Sequence, residues 1–368
     1  MAEYNHDLIG ACQNIQKEAD ILSGQNSAFK LGRQVGALDA ITSPANGGVQ
    51  SQLITYDEGR KVAKLEIFYD QRTKPCQIVD DVLNVCDEDG STPARKSATV
   101  TIDNGISTPV RYFNNDDMVV LCKNQQDFIQ SRLFNDLRAA RERLSEKTLA
   151  FLDAGIGDIK HWDGTTTTAA YADLQLLYGT AAGEDVPQAG NYSNLLLDYQ
   201  NMQLTGVPMI IGQGYFDKYM MSQKLACCNA NTPYGEAVGA AGAAYFQDQA
   251  ANATLGDNKI IVAPFGLVHL LTFNKNKNIG INTQTEQHIT IADPDGYPFM
   301  WNLDFKWDCS AEAWKYVYSL QYSFFNTWQA DSFQEEDEQS PDVSPDCDDE
   351  LFGVTGIFGY QVTRDAAA

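Results

Sequence analysis

The chain carries four imidazoles, at His6, His161, His269 and His288. None stands at HxH or HxxxH spacing, so no histidine-based metal site can be read from them. His269 lies within the apolar run Leu267–Leu271, where a histidine held in the core or at an interface is expected. No GxSxG elbow and no Walker A sequence occurs. Gly212-Gln-Gly214 follows the apolar run Val207–Ile211, but Asp217 stands where a dinucleotide fingerprint needs its third glycine, so a tight strand-to-helix turn is expected there. The eight cysteines include no CxxC, and the vicinal Cys227–Cys228 pair cannot close an ordinary disulfide without strain. Reduced thiols packed as small hydrophobes follow.

The acidic motifs offer little more. Asp87-Glu-Asp-Gly90 and Asp293-Pro-Asp-Gly296 resemble fragments of calcium loops but lack the remaining ligands, so both are read as turns. Asp331–Glu350 holds ten acids and no base. Such a run is a solvated loop, or it binds cations loosely, holds off DNA, or pairs with bases of a neighbour. The opposite charge gathers on one segment, as Arg132, Arg138, Arg141, Arg143 and Lys147. Pairs such as Arg138–Glu142 account for part of that face within a helix. The rest is expected to pair with acidic groups of adjacent subunits. The candidate inter-subunit contacts are therefore these five, Arg60, Lys61 and Arg72 upstream, and Glu335, Glu336 and Asp337 in the acidic run. No catalytic, cofactor-binding or metal-binding residue is assigned, and no cofactor is expected.

The segment bearing the five bases is the strongest element in the sequence. From about residue 125 to 154, apolar or small residues fall at Ile129, Leu133, Leu137, Ala140, Leu144, Thr148 and Phe151, a sustained helical seam with no Gly or Pro until Gly155. At 1.5 Å per residue this helix is about 45 Å long. Its seam is too short and too diluted by Ala and Thr for a coiled coil, so a single helix lying across a sheet is expected.

Around it the pattern is α+β. Residues 1–46 hold a weak amphipathic stretch, Leu8–Leu22, and then Gly- and Ser-punctuated sequence, as in an arm. Residues 47–113 read as β: SQLITYD, a Glu58-Gly59 hairpin signal, RKVAKLEIFYD, then SATVTID and TPVRYF joined at Asn104-Gly105. This unit is too polar to form a core of its own and must lie on something. After the helix come the polar connection GDIKHWDGTTTTAAY, a helix NLLLDYQNMQ, a buried strand VPMIIG, a helix GYFDKYMMSQKLACC and the strands KIIVAPF and GLVHLLTF. From Glu286 onward β patterns return, closing with GVTGIFGYQV.

The formal net charge is -23, from 49 acids and 26 bases, so the surface as a whole repels phosphate backbones. Hydrophobic residues make up 43% of the 368, an ordinary globular share. The start lacks a basic n-region with a long apolar h-region, and no apolar run approaches 18 residues, so neither a signal peptide nor a membrane span is expected. A soluble protein of a reducing compartment follows, and the NxS/T matches at Asn191 and Asn252 are then unused.

The order of elements resembles the major capsid proteins of tailed bacteriophages, with the Hong Kong 97-type fold shared with encapsulins. The resemblance rests on the arm, the extended β loop (SQLITYDEGRKVAKLEIFYD through STPVRYF) and the long helix QQDFIQSRLFNDLRAARERLSEKTLAFLDAG. Later phrases such as GVPMIIGQGYFDKY, DPDGYPFMWNLDFKWDC and LFGVTGIFGYQV agree in style. It implies an N-terminal arm (1–46), an E-loop (47–113), a P-domain with a spine helix (114–195), an A-domain (196–283), and P-domain strands with the acidic loop and closing strand (284–368). It further implies self-assembly as pentamers and hexamers into an icosahedral shell around double-stranded DNA, in the virion capsid after assembly in the host cytoplasm. Partners would be other copies, a portal, and scaffold or decoration proteins, with DNA apposed only loosely and no membrane. Scaffolding, if used, is expected to be a separate protein, and no local motif marks a Lys–Asn cross-link. Two other readings stay open: a cytosolic enzyme with a carboxylate- or thiol-based site, and a phage tail or decoration protein.

Overall fold

The computed structural model describes residues 34–47, 51–57, 62–70, 95–113, 125–179, 185–187, 189–202, 204, 207–226, 243–275, 285–327 and 355–365. Helix α1 (Gly36–Thr42) comes first. A three-stranded antiparallel sheet follows, β1 (Ser51–Asp57), β2 (Val62–Asp70) and β3 (Arg95–Ile102), with β2 central. Then come β4 (Asn104–Ser107), β5 (Arg111–Phe113) and the 30-residue helix α2 (Gln125–Ala154). A small hairpin of β6 (Ile159–Lys160) and β7 (Thr166–Thr167) leads to β8 (Tyr171–Gly179), β9 (Asp185–Pro187) and α3 (Ala189–Asn201). β10 (Pro208–Gly212), α4 (Tyr215–Ala226), β11 (Ala244–Gln247), α5 (Ala251–Leu255) and β12 (Lys259–Pro264) follow. The last strands are β13 (Val268–Phe273), β14 (Glu286–Ala292), β15 (Met300–Asp308), β16 (Ala313–Asn326) and β17 (Phe358–Asp365).

Two larger sheets carry the core. One has the order β11-β10-β12-β17-β8-β9; β10 with β11 and β17 with β8 are its parallel pairs. The other runs β13-β16-β15-β14, with β4 and β5 also pairing β16. β16 shows why these residues make a half-buried strand. Trp314, Tyr316, Tyr318, Leu320 and Tyr322 alternate inward, and the residues between them are half exposed. β10 and β12, buried on both faces, read instead as continuous apolar runs.

Sheet membership cuts across the linear division of the sequence. β17, from the last segment, lies between β12 and β8, while β13 joins β16 of the following segment. Asn104 and Gly105 form no hairpin turn; they lie in β4, opposite Tyr322 and Gln321 of β16. The β arm thus ends at Ile102, and the chain from Asn104 belongs to the sheet beneath it.

The arm does lie on something. Ala63, Leu65, Ile67 and Ile102 are buried against Leu271, Phe273 and Phe325 of β13 and β16, and the Tyr56 and Phe273 rings meet at 4.8 Å. On β1, the edge strand, Leu53 and Ile54 are 41% and 47% exposed.

Helix α2 has the expected bounds. Leu137, Ala140, Leu144 and Thr148 are buried as the seam requires, and Leu149 and Leu152 widen it, leaving Phe151 half-buried. The expectation that residues up to 46 form an arm is corrected at its end. Ala37, Leu38, Ala40 and Ile41 of α1 belong to the same core as α2. A Cβ on Gly36 would stand 2.3 Å from the Gln247 carbonyl oxygen, so α1 and β11 approach as closely as they do only over a glycine.

Candidate functional site

The basic face of α2 divides into bases held within the subunit and bases left in solvent. Arg141 is revised by its burial: only 4% exposed, it is no free contact for a neighbour. Its guanidinium is hydrogen-bonded to Asp295, and Nε lies 3.6 Å from Asp293, both in the Asp293–Gly296 turn. The segment is a turn as expected, with Asp293 Oδ1 accepting the Asp295 N–H at 2.9 Å and Gly296 at φ 85. Asp293 also accepts from Trp301 Nε1 at 2.8 Å. Burial raises the Asp293 pKa, and the Arg141 charge opposes that rise.

A second pair was missed in the sequence. Arg111 of β5 grips Asp136 with two bonds of 2.7 Å, fastening α2 to that strand three turns from the helix start. Nothing local marks this pair, because 25 residues separate its members. Arg138 is half-buried and has a partner within the chain. Arg143 and Lys147 are exposed, Arg143 meeting Glu146 one turn on at 2.5 Å. The Arg132 side chain lies outside the described residues, as do Arg60, Lys61, Arg72, Glu335, Glu336 and Asp337.

The expected turn at Gly212-Gln-Gly214 is present between β10 and α4. Gly214 has φ 84, its N–H is received by Asp217 at 3.1 Å, and Tyr215 N–H is received by Asn258 at 3.0 Å. His269 is a core histidine with Nε2 2.9 Å from the Gly266 carbonyl, and burial lowers its pKa. His288 pairs through Nδ1 with Asp304 at 2.8 Å, and Lys275 reaches the other oxygen at 2.5 Å.

The fourth position is the most developed. His161 Nδ1 lies 2.9 Å from Asp198 Oδ2 and Nε2 2.9 Å from Thr167 Oγ1. Asp198, buried on α3, also accepts from the Trp162 N–H at 2.9 Å and from Tyr360 Oη at 3.3 Å. Burial and the Asp198 charge push the Tyr360 pKa up. Thr, His and Asp are thus joined in the order of a nucleophile, base and orienting acid. Thr167, however, is not among the residues that line the adjoining cleft of about 320 Å³, which opens instead beside His161 and Asp198. What the bonds do is clamp the β6–β7 hairpin to α3. No local pattern could have revealed this, since His161 and Asp198 are 37 residues apart.

Among the described residues no group of three or more His, Cys, Asp or Glu could hold a metal ion. No described helix is long and apolar enough to cross a membrane.

Neither a protein-family model nor a curated protein matches the chain. Among solved structures it is similar to a chain from Mycobacterium phage Adephagia, with 9% identity, a TM-score of 0.42 and coverage of 94% of both chains. It is also similar to a chain of the cyanophage A-1(L) capsid asymmetric unit, with 11% identity, a TM-score of 0.42 and coverage of 81% of this chain and 91% of that one. A third similarity, with 8% identity and a TM-score of 0.35, is to the satellite phage P4 procapsid including the size determination (Sid) protein, covering 82% of this chain and 84% of that one.

Proposed function

We propose that this chain is a structural subunit of a phage shell, a major capsid protein that assembles with copies of itself as pentamers and hexamers around double-stranded DNA. The observation that carries the reading is the β arm. One face of its sheet rests on β13 and β16, while β1, an edge strand among the described residues, holds Leu53 and Ile54 exposed. An apolar edge of that kind favours association and is normally blunted by charge or covered. A second copy covering it accounts for its retention.

Two further features agree. Arg143 and Lys147 leave positive charge exposed on α2 in a chain of net charge -23, a complement for acidic groups of another copy. The same net charge suits a wall along which packed DNA slides without adhering. In this reading the N-terminal arm gives way to the core at α1, the sheet β1–β3 is the E-loop, 114–195 is the spine-helix region, 196–283 the A-domain and 284–368 the returning strands. Its site in the cell is the virion, and portal, scaffold or decoration proteins are its further partners. It is not an enzyme.

Light scattering on the purified protein after size-exclusion chromatography tests this. The expected result is a species of at least pentamer mass; a monodisperse monomer at every concentration overturns the proposal.

A further inference from the structure

Four elements wall the cleft beside His161, one of them β17 through Tyr360. The β6–β7 turn contributes Trp162 and Asp163, β8 contributes Asp173 and Gln175, and α3 contributes Asn191 and Asn194. The spacing explains the convergence. Residues 173 and 175 share one face of a strand, and residues 191, 194 and 198 share one face of a helix. The space of about 320 Å³ is at the lower end for small-molecule sites.

The side chains fall into two sets. Asp198 is occupied by His161, the Trp162 N–H and Tyr360. Asp163 is occupied by the Thr165 N–H and hydroxyl at 2.9 and 2.7 Å. These pairs fix the turn that carries Trp162. The side chains of Asp173, Gln175 and Asn194, by contrast, make no hydrogen bond to another described residue, and Trp162, at the rim of the cleft, is 54% exposed.

The chemistry of that second set selects a ligand class. Three carboxylates in the walls repel an anion. A cation needs acceptors alone, so it would use only the amide oxygens of Gln175 and Asn194 and leave their N–H donors without a role. Hydroxyl groups both donate and accept, as an amide does, and vicinal hydroxyls match the planar forks of Asp, Asn and Gln. An exposed indole beside those forks offers a flat apolar face to the C–H side of a sugar ring. We propose that this cleft binds a neutral saccharide, with Trp162 as the stacking platform and Asp173, Gln175 and Asn194 as its hydroxyl partners.

Saturation-transfer NMR on the assembled protein tests this with glucose, galactose, mannose and N-acetylglucosamine, each as monomer and β-linked dimer, and with tetralysine as a cationic probe. The expected result is transfer to the ring C–H protons of at least one sugar, weakened about tenfold by Trp162→Ala. The melting temperature should not change, because the Asp198 bond uses the Trp162 backbone. Should Trp162→Ala lower the melting temperature, Gln175→Ala gives the same reading from the β8 wall. Transfer to no sugar, transfer to tetralysine alone, or sugar transfer unchanged by the variant that stays folded overturns the proposal.

Discussion

Ser145 Oγ donates to the Asp248 carboxylate at 2.6 Å, and the same carboxylate oxygen receives the Ala37 N–H at 2.9 Å. One buried acid thereby ties the long helix, the small helix α1 and the turn after β11, where its other oxygen takes the Ala250 N–H at 2.8 Å. Removing one donor from a fully buried carboxylate leaves its desolvation uncompensated. Ser145→Ala should lower stability by about 1–3 kcal/mol, read as a lower urea midpoint at unchanged slope.

Arg141 and Arg143 stand two residues apart and should respond oppositely to charge reversal. Arg141→Glu sets a third carboxylate against Asp293 and Asp295 in a buried place and should destabilise the subunit by about 3–5 kcal/mol or more. Arg143→Glu, in solvent, should leave the folding stability within about 0.5 kcal/mol of the original while reducing assembled mass. Thermal melts and light scattering on the two variants separate folding from assembly.

His269 gives a pH dependence of definite sign. Burial holds its pKa below the ordinary 6.5, so the unfolded chain binds this proton more readily than the native one. Its contribution is complete above pH 6.5 and is lost as pH falls from there through the native pKa. His269→Gln keeps a donor for the Gly266 carbonyl and should flatten the stability profile across that window. A profile equally steep in the variant would assign the loss to other groups.

Leu53 and Ile54 make the arm testable by itself. Both are exposed on an edge strand, outside the buried cluster of Ala63, Leu65 and Ile67. Leu53→Lys with Ile54→Glu should leave the fold intact by circular dichroism and shift the protein to smaller species in sedimentation.

The long helix was legible because its determinants are local: a seam with spacings of three and four and no breaker until Gly155. The first hairpin was legible for the same reason, by alternation around Glu58-Gly59. Asn104-Gly105 misled because a turn-forming pair also fits a strand when long-range pairing, here with Tyr322 and Gln321, outweighs local preference. Arg141 misled differently. Its charge placed it on a solvent face, whereas the acids that bury it come from a turn 154 residues away. The cleft was invisible because it forms only when a turn, two strands and a helix meet.

The central claim is that copies of this chain form a closed shell, and imaging purified protein by negative-stain electron microscopy tests it most directly. The account predicts rings of five and six subunits, or closed particles built from them. Fields of single, unassociated subunits under assembly-promoting salt and concentration would contradict it.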